Sequence, residues 1–289
     1  MSSRSLATPD ITAYERRHRQ ATHDLIFRSY RVHSHLDWQE SEAWLESNDH
    51  PARLAWIGDR LVGVMAASAP LNGACWLRLV VVSDFGDAGR IIAALWQTMK
   101  EHLRERGVRT VAVLVSRDWL LSYLRALTFR PEENIVTLER DRQPLPPQVQ
   151  ADSFILRLIY PHEIDALTAV DHTAFDPPWQ MEKTDIRQAE KISSVATAAL
   201  CDGEIIGYSL YTVYIDGAHL ARLAVMPRAQ GRGIASALLA DALHRFARRS
   251  IFTMTVNTQA SNIRSLRLYE RFGFVRNGYD LPVWVYDLN

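Results

Sequence analysis

Ala224-Val225-Met226-Pro227-Arg228-Ala229-Gln230-Gly231-Arg232-Gly233-Ile234-Ala235 is the stretch that decides how the chain folds. An apolar run ends at Met226, Pro227 stops the strand it would form, two glycines follow, and a helical pattern begins. At such a helix start several amide N–H groups have no internal partner and lie beside the positive end of the helix dipole. A diphosphate fits there, and Arg228 and Arg232 add charge at its rim. A nicotinamide-dinucleotide fingerprint needs a third glycine where Ser236 stands, and further strand–helix units than the remaining chain can hold. A P-loop needs Lys-Ser or Lys-Thr after the glycines, and neither follows.

The pattern around this loop is that of a mixed α/β sheet. Upstream, Phe154 to Leu158 alternates like a first strand, and Pro161 to Phe175 has helical spacing. Ala196 to Leu200 and Ile205 to Val213 read as strands joined by the hairpin signal Asp202-Gly203, and Leu220 to Met226 as the next strand. Downstream, Ala235, Leu239, Ala242 and Phe246 share one helical face. Ile251 to Val256 reads as a buried strand, and Ser261 and Asn262 start a helix presenting Ile263, Leu266 and Tyr269. Gly273 ends that helix, and Pro282 to Tyr286 offers a last strand.

The chain is written twice. Arg78-Leu79-Val80-Val81-Val82 recurs as Arg222-Leu223-Ala224-Val225-Met226, and at the same offset Gly89 matches Gly233 and Leu95 matches Leu239. One residue further out of step, Leu127-Thr128-Phe129 matches Phe272-Gly273-Phe274. Between the copies lies Gln143-Pro144-Leu145-Pro146-Pro147-Gln148, an extended linker in composition. Two domains of one fold are expected, over residues 1–145 and 150–289. A length of 289 residues with 47% hydrophobic content supplies two cores. With 33 basic against 33 acidic residues, no broad nucleic-acid surface is expected. The two cysteines, Cys75 and Cys201, sit in apolar stretches, which argues against a disulfide framework or a Cys-rich metal site. No apolar run is long enough to cross a bilayer and residues 1–12 lack the apolar core of a secretory signal, so a cytoplasmic protein is expected.

The segment Arg228-x-x-Gly231-x-Gly233, with Gln230 inside it, resembles the acetyl-CoA loop of the GNAT superfamily of N-acetyltransferases. The resemblance covers roughly residues 153 to 289 closely and the first half as architecture. It implies two tandem GNAT-type domains with acetyl-CoA as cosubstrate. The implied cofactor set is Leu223, Ala224 and Val225 on the strand before the loop, then Arg228, Gln230, Gly231, Arg232, Gly233, Ile234 and Ala235. In the family an Asn often begins the next helix beside the pantetheine, with a Tyr seven residues on beside the sulfur. Asn262 and Tyr269 stand in those places, almost two helical turns apart and hence on one face.

The implied reaction moves an acetyl group from a thioester to a primary amine of a small molecule or peptide. It needs the reactants held together, donors for the developing oxyanion, and a proton for the departing thiolate. Tyr269 is the expected acid. Related alanine N-acetyltransferases of ribosomal proteins carry a Glu five residues before the Asn; here Asn257 stands there and cannot take a proton. Asp176, His172, His219 or water remain as routes for the amine proton. Phe175-Asp176-Pro177-Pro178-Trp179 and Tyr279 are expected on the acceptor wall. A monomer or homodimer, without metal, nucleic acid or membrane, completes the expectation. The other reading left open is a non-enzymatic acyl-CoA-binding module.

The first half departs from the pattern. Asp84, Gly86 and Asp87 stand where Arg228, Gln230 and Gly231 stand in the second, and two carboxylates there would repel a diphosphate. Arg117 and Leu124 replace Asn262 and Tyr269. A degenerate copy is expected.

Overall fold

The computed structural model describes residues 8–36, 39–47, 50–148 and 153–288. Most of the N-terminal stretch read for a signal (residues 1–7) and the linker end at 149–152 lie outside the described residues. In chain order the strands and helices are β1 (Asp10–Ala13), α1 (Arg19–Arg28), β2 (Arg31–Ser34), α2 (Ser41–Ser47), β3 (Ala52–Ile57), β4 (Arg60–Ala67), β5 (Ala74–Val82), α3 (Ala88–Glu105), β6 (Thr110–Leu114), α4 (Leu121–Ala126) and β7 (Arg130–Arg140). There follow β8 (Ile155–Leu158), α5 (Ile164–Ala174), α6 (Lys183–Ile192), β9 (Val195–Cys201), β10 (Glu204–Tyr214), β11 (Gly217–Val225), α7 (Ile234–Ala247), β12 (Met254–Gln259), α8 (Ile263–Arg271) and β13 (Val275–Asp287). Among the described residues no helix is long and apolar enough to cross a membrane.

Two compact units result, Met1–Glu133 with Leu281–Asn289, and Asn134–Asp280. They divide at 133/134 and 280/281, not at the linker near residue 146. In the first unit the closing strand is the end of β13, antiparallel to β6 with Val283 opposite Leu114 and Asp287 opposite Thr110. Tyr286 from this strand packs on Trp96 and Phe129, ring centroids 5.0 and 5.2 Å apart. In the second unit the closing strand is the end of β7, antiparallel to β12 with Ile135 opposite Gln259 and Arg140 opposite Met254. Arg140 is buried there and donates from Nε to the Phe272 carbonyl at 2.8 Å.

The second unit carries the loop. Its sheet runs β8-β9-β10-β11-β12-β7, antiparallel except where β11 meets β12. Leu239, Ala242 and Phe246 of α7 pack against Tyr211, Leu220 and Val256 of the sheet, as the helical spacing requires. A β-bulge then shapes the site. Leu210 pairs with Arg222 and Tyr211 with Leu220, so Ala221 is the extra residue. Beyond it β11 leaves β12, to which it is paired only along Ala218–Leu220. The far stretch of β11 therefore turns a backbone edge toward no ladder partner among the described residues.

The first unit repeats this design with one difference. β5 pairs with β6 only along Ala74–Trp76, and Arg78 is the bulged residue against β4. There, however, β2 lies along the departing edge, Ser34 opposite Leu79 and Arg31 opposite Val82. One unit leaves its splayed edge open; the other fills it with its own chain.

Candidate active site

The loop after β11 is held open by its backbone. Gly231 and Gly233 have φ of 78° and 81°, the left-handed region that costs a residue with a side chain roughly 1–2 kcal/mol. A Cβ on either would meet nothing within 4 Å, so the chain turn, not crowding within the protein, calls for glycine. Gly233 is the N-cap of α7 and offers no side chain to close it. The N–H groups of the first turn are thus left for a ligand. In the first unit the matching helix α3 is closed by its own chain, since the Asp87 carboxylate accepts from the Arg90 N–H at 3.1 Å.

A cavity of about 1140 Å³ joins the open strand edge to this helix start. Leu223, Ala224 and Val225 of β11 form one side, followed by Gln230, Gly231 and Gly233 of the loop and Ile234 and Ala235 of α7. Across from them α8 presents Asn262, Ser265 and Leu268. Phe175, at the end of α5, also lines the space. Three arginines that the sequence reading missed, Arg264, Arg267 and Arg271, share the α8 wall with Glu270, its only carboxylate. Their spacing of three and four residues was a legible signal for one helical face. With the helix dipole they make the cavity wall suited to an anion.

Several expected residues serve in ways that the motif alone does not tell. Gln230 ties the loop together, donating from Nε2 to the Val225 carbonyl and accepting from Arg264 Nη1, both at 3.1 Å. Asn262 caps α8 through Oδ1, which accepts from the Ser265 N–H at 3.1 Å, and lines the cavity as well. Arg228 forms an ion pair with Glu204 and, like exposed Arg232, is absent from the cavity wall.

Tyr269 is 4% exposed and packs on Phe274, ring centroids 5.8 Å apart. Burial pushes its phenol well above the usual range, offset in part by the Ser265 side chain beside it. Its ring does not line the cavity, whereas Ser265 does. Of the expected acceptor residues Phe175 alone lines it; Asp176 and Tyr279 are exposed, and Trp179 lies off the wall. The three groups considered as bases are also off the wall. His172 Nε2 meets the Met181 carbonyl at 2.9 Å and His219 Nδ1 the Thr255 hydroxyl at 2.8 Å. Among the described residues no cluster of His, Cys, Asp or Glu could hold a metal ion.

The profile of the Acetyltransferase (GNAT) family matches residues 162–274, which include the open strand edge, the loop and α8. A mycothiol acetyltransferase from Acidimicrobium ferrooxidans is 30% identical over 230 residues, 72% of this chain and 73% of the relative. The [ribosomal protein bS18]-alanine N-acetyltransferase of Escherichia coli K12 is 26% identical over 112 residues, 39% of this chain and 74% of its own length. A solved tandem GNAT protein from the clavulanic acid biosynthesis pathway shares the fold, with a TM-score of 0.64 at 14% identity over 97% of this chain and 99% of its own. The splayed strand, the glycine loop and these likenesses agree: the chain belongs to the GNAT family of N-acetyltransferases.

Proposed function

We propose that the chain transfers an acetyl group directly from acetyl-CoA to a primary amine of a small molecule or peptide, using one site in residues 150–289. The observation that carries this reading is the continuity of an unpaired strand edge with an uncapped helix start. The amides of residues 231–235 take the diphosphate. The pantetheine arm lies along Leu223–Val225 as an added strand would, so the thioester carbonyl meets backbone donors of β11. Asn262 commits its oxygen to the helix cap and lines the cavity, which leaves its amide hydrogens as donors for the arm.

The amine nitrogen enters beside Phe175 and bonds to the acyl carbon, the carbon–sulfur bond breaks, and the thiolate leaves with a proton. Tyr269 supplies that proton, its hydroxyl reaching the cavity through Ser265. The proton shed by the amine leaves through water, since Asp176, His172 and His219 are all off the wall.

The first half is a degenerate copy in this reading. Support comes from β2 lying where the pantetheine arm would pair, and from the Asp87 carboxylate on the helix start where a phosphate would sit. The test of the activity is CoA release with the full chain and a panel of amines. The two relatives suggest that it include thiol-bearing amines and peptides with a free N-terminal alanine, beside amino sugars and polyamines. Acetyl-CoA-dependent release stimulated by at least one amine is expected; binding of acetyl-CoA with no stimulated release across the panel contradicts the reading.

A further inference from the structure

Arg222 enters the sequence reading only as the repeat partner of Arg78. It stands on β11 opposite Leu210, at the bulge where the open edge begins. Its Nε donates to Asp171 Oδ2 at 2.7 Å and its Nη2 to Asp171 Oδ1 at 2.9 Å, a two-pronged pair. Asp171 is fully buried, and the Arg222 side chain is 14% exposed. A buried pair of this kind is a poor source of net stability, because desolvating two charges cancels much of their attraction. Its partners suggest another purpose.

Arg222 Nη2 also donates to the Trp179 carbonyl at 2.8 Å, and its guanidinium carbon lies 3.6 Å from the centroid of the Phe175 ring. Asp171 accepts in addition from the Met181 N–H at 2.9 Å and the Tyr208 hydroxyl at 2.8 Å. The stretch from Phe175 to Met181 is thereby held at its first ring, at Trp179 and at its last amide. Burial works against the charge on Arg222, but the Asp171 carboxylate outweighs it and keeps the guanidinium protonated. A lysine could hold one oxygen; it could not clamp two oxygens and lie flat on a ring. In the first unit the matching Arg78 likewise donates to a neighbouring segment, from Nη1 to the His35 carbonyl at 3.2 Å.

We infer that Arg222, acting through Asp171, is the positioning residue of the acceptor wall. It ties Phe175 and the segment up to Met181 to the strand that presents the acyl group. It therefore governs how well an acceptor amine is held, and leaves acetyl-CoA binding to the loop. The inference rests on the proposed site in the second half.

Arg222→Met, Arg222→Lys and Asp171→Asn in the full chain test it, with amide hydrogen exchange followed by mass spectrometry. In both Arg222 variants the amides of Trp179, Gln180 and Met181 should exchange at least about tenfold faster while those of α7 and β12 keep their protection. CoA affinity by calorimetry should stay within about threefold of the parent. With an amine turned over in the panel, acceptor KM should rise at least about tenfold and acetyl-CoA KM should hold. Unchanged exchange at 179–181, protection lost evenly across the unit, or full rescue by lysine would each overturn the inference. Should Arg222→Met not fold, Arg222→Lys decides by the same exchange pattern. A panel without turnover would sink the proposed activity, yet the exchange result would still decide this claim.

Discussion

Replacing Gly233 by alanine and, separately, by glutamate separates backbone strain from charge at the point where a diphosphate would lie. Both variants place a side chain at φ 81°, which costs roughly 1–2 kcal/mol of stability and lowers Tm by a few degrees. The added Cβ meets no protein atom within 4 Å, so it projects into the open space that the ligand would enter. If it displaces one charge-assisted N–H···phosphate bond, about 1.5–3 kcal/mol is lost, or roughly 10- to 150-fold in CoA affinity. Glutamate adds repulsion. At about 6 Å and an effective dielectric constant of about 20, one charge pair is worth roughly 3 kcal/mol before screening. A further loss of roughly 10- to 100-fold over alanine is therefore expected at low salt. The gap should narrow as salt rises, because the screening length falls from about 10 Å at 0.1 M to about 3 Å at 1 M. Calorimetric titration with CoA at both salt concentrations measures it. Gly58→Ala is the control, since Gly58 has φ of 57° in open space and its replacement should cost stability without touching CoA affinity. Gly233→Glu binding CoA within threefold of Gly233→Ala at low salt would refute the reasoning.

Tyr269→Phe should lower kcat by roughly 10²- to 10⁴-fold with CoA affinity retained, and unchanged turnover would remove its acid role. Because burial raises its pKa, Tyr269 should remain protonated throughout the neutral range, so activity should show no loss of this acid below pH 10. Calorimetry on the full chain should find one CoA per chain, because Asp87 and β2 close the matching place in the first unit; a second CoA bound per chain, retained in Gly233→Glu, would contradict this. His33 is fully buried; that burial first, then His35 and Arg117, depresses its pKa to about 3. The folded state therefore holds fewer protons than the unfolded one. Its contribution is complete above about pH 6.5 and is lost progressively as pH falls toward about 3. Urea midpoints should drop between pH 7 and pH 5, and drop less in His33→Asn; equal drops would contradict this.

Much of the site was legible because the loop imposes its own constraints. Pro227 ends a strand, two glycines need left-handed turns, and the α7 pattern follows at once. The strand β11 and the caps of α7 and α8 came from the same local logic. What failed was set by tertiary pairing. The strand expected at Ile251 to Val256 begins only at Met254, because the Ile251 N–H closes the end of α7 on the Phe246 carbonyl at 3.0 Å. Helix α6 was not anticipated, since Asp185, Ile186 and Ala189 are its only buried residues, too few to set an apolar period. The exchange of closing strands left no trace either: each half ends in a strand that could have closed its own sheet. Nor could periodicity reveal that β2 occupies an edge in one unit, or that Asp171 and Arg222 meet across about fifty residues of chain. Such partners are visible only once the bulge has turned the strand.

The claim on which the rest depends is that the amides of residues 231–235 hold the diphosphate of coenzyme A. A crystal structure of the full chain with CoA addresses it directly. The account predicts density for the diphosphate within hydrogen-bond distance, about 3 Å, of those N–H groups, with the pantetheine arm running along Leu223–Val225. Diphosphate density at the α3 helix start, or anywhere else, with the residue 231–235 amides left to solvent, would contradict it.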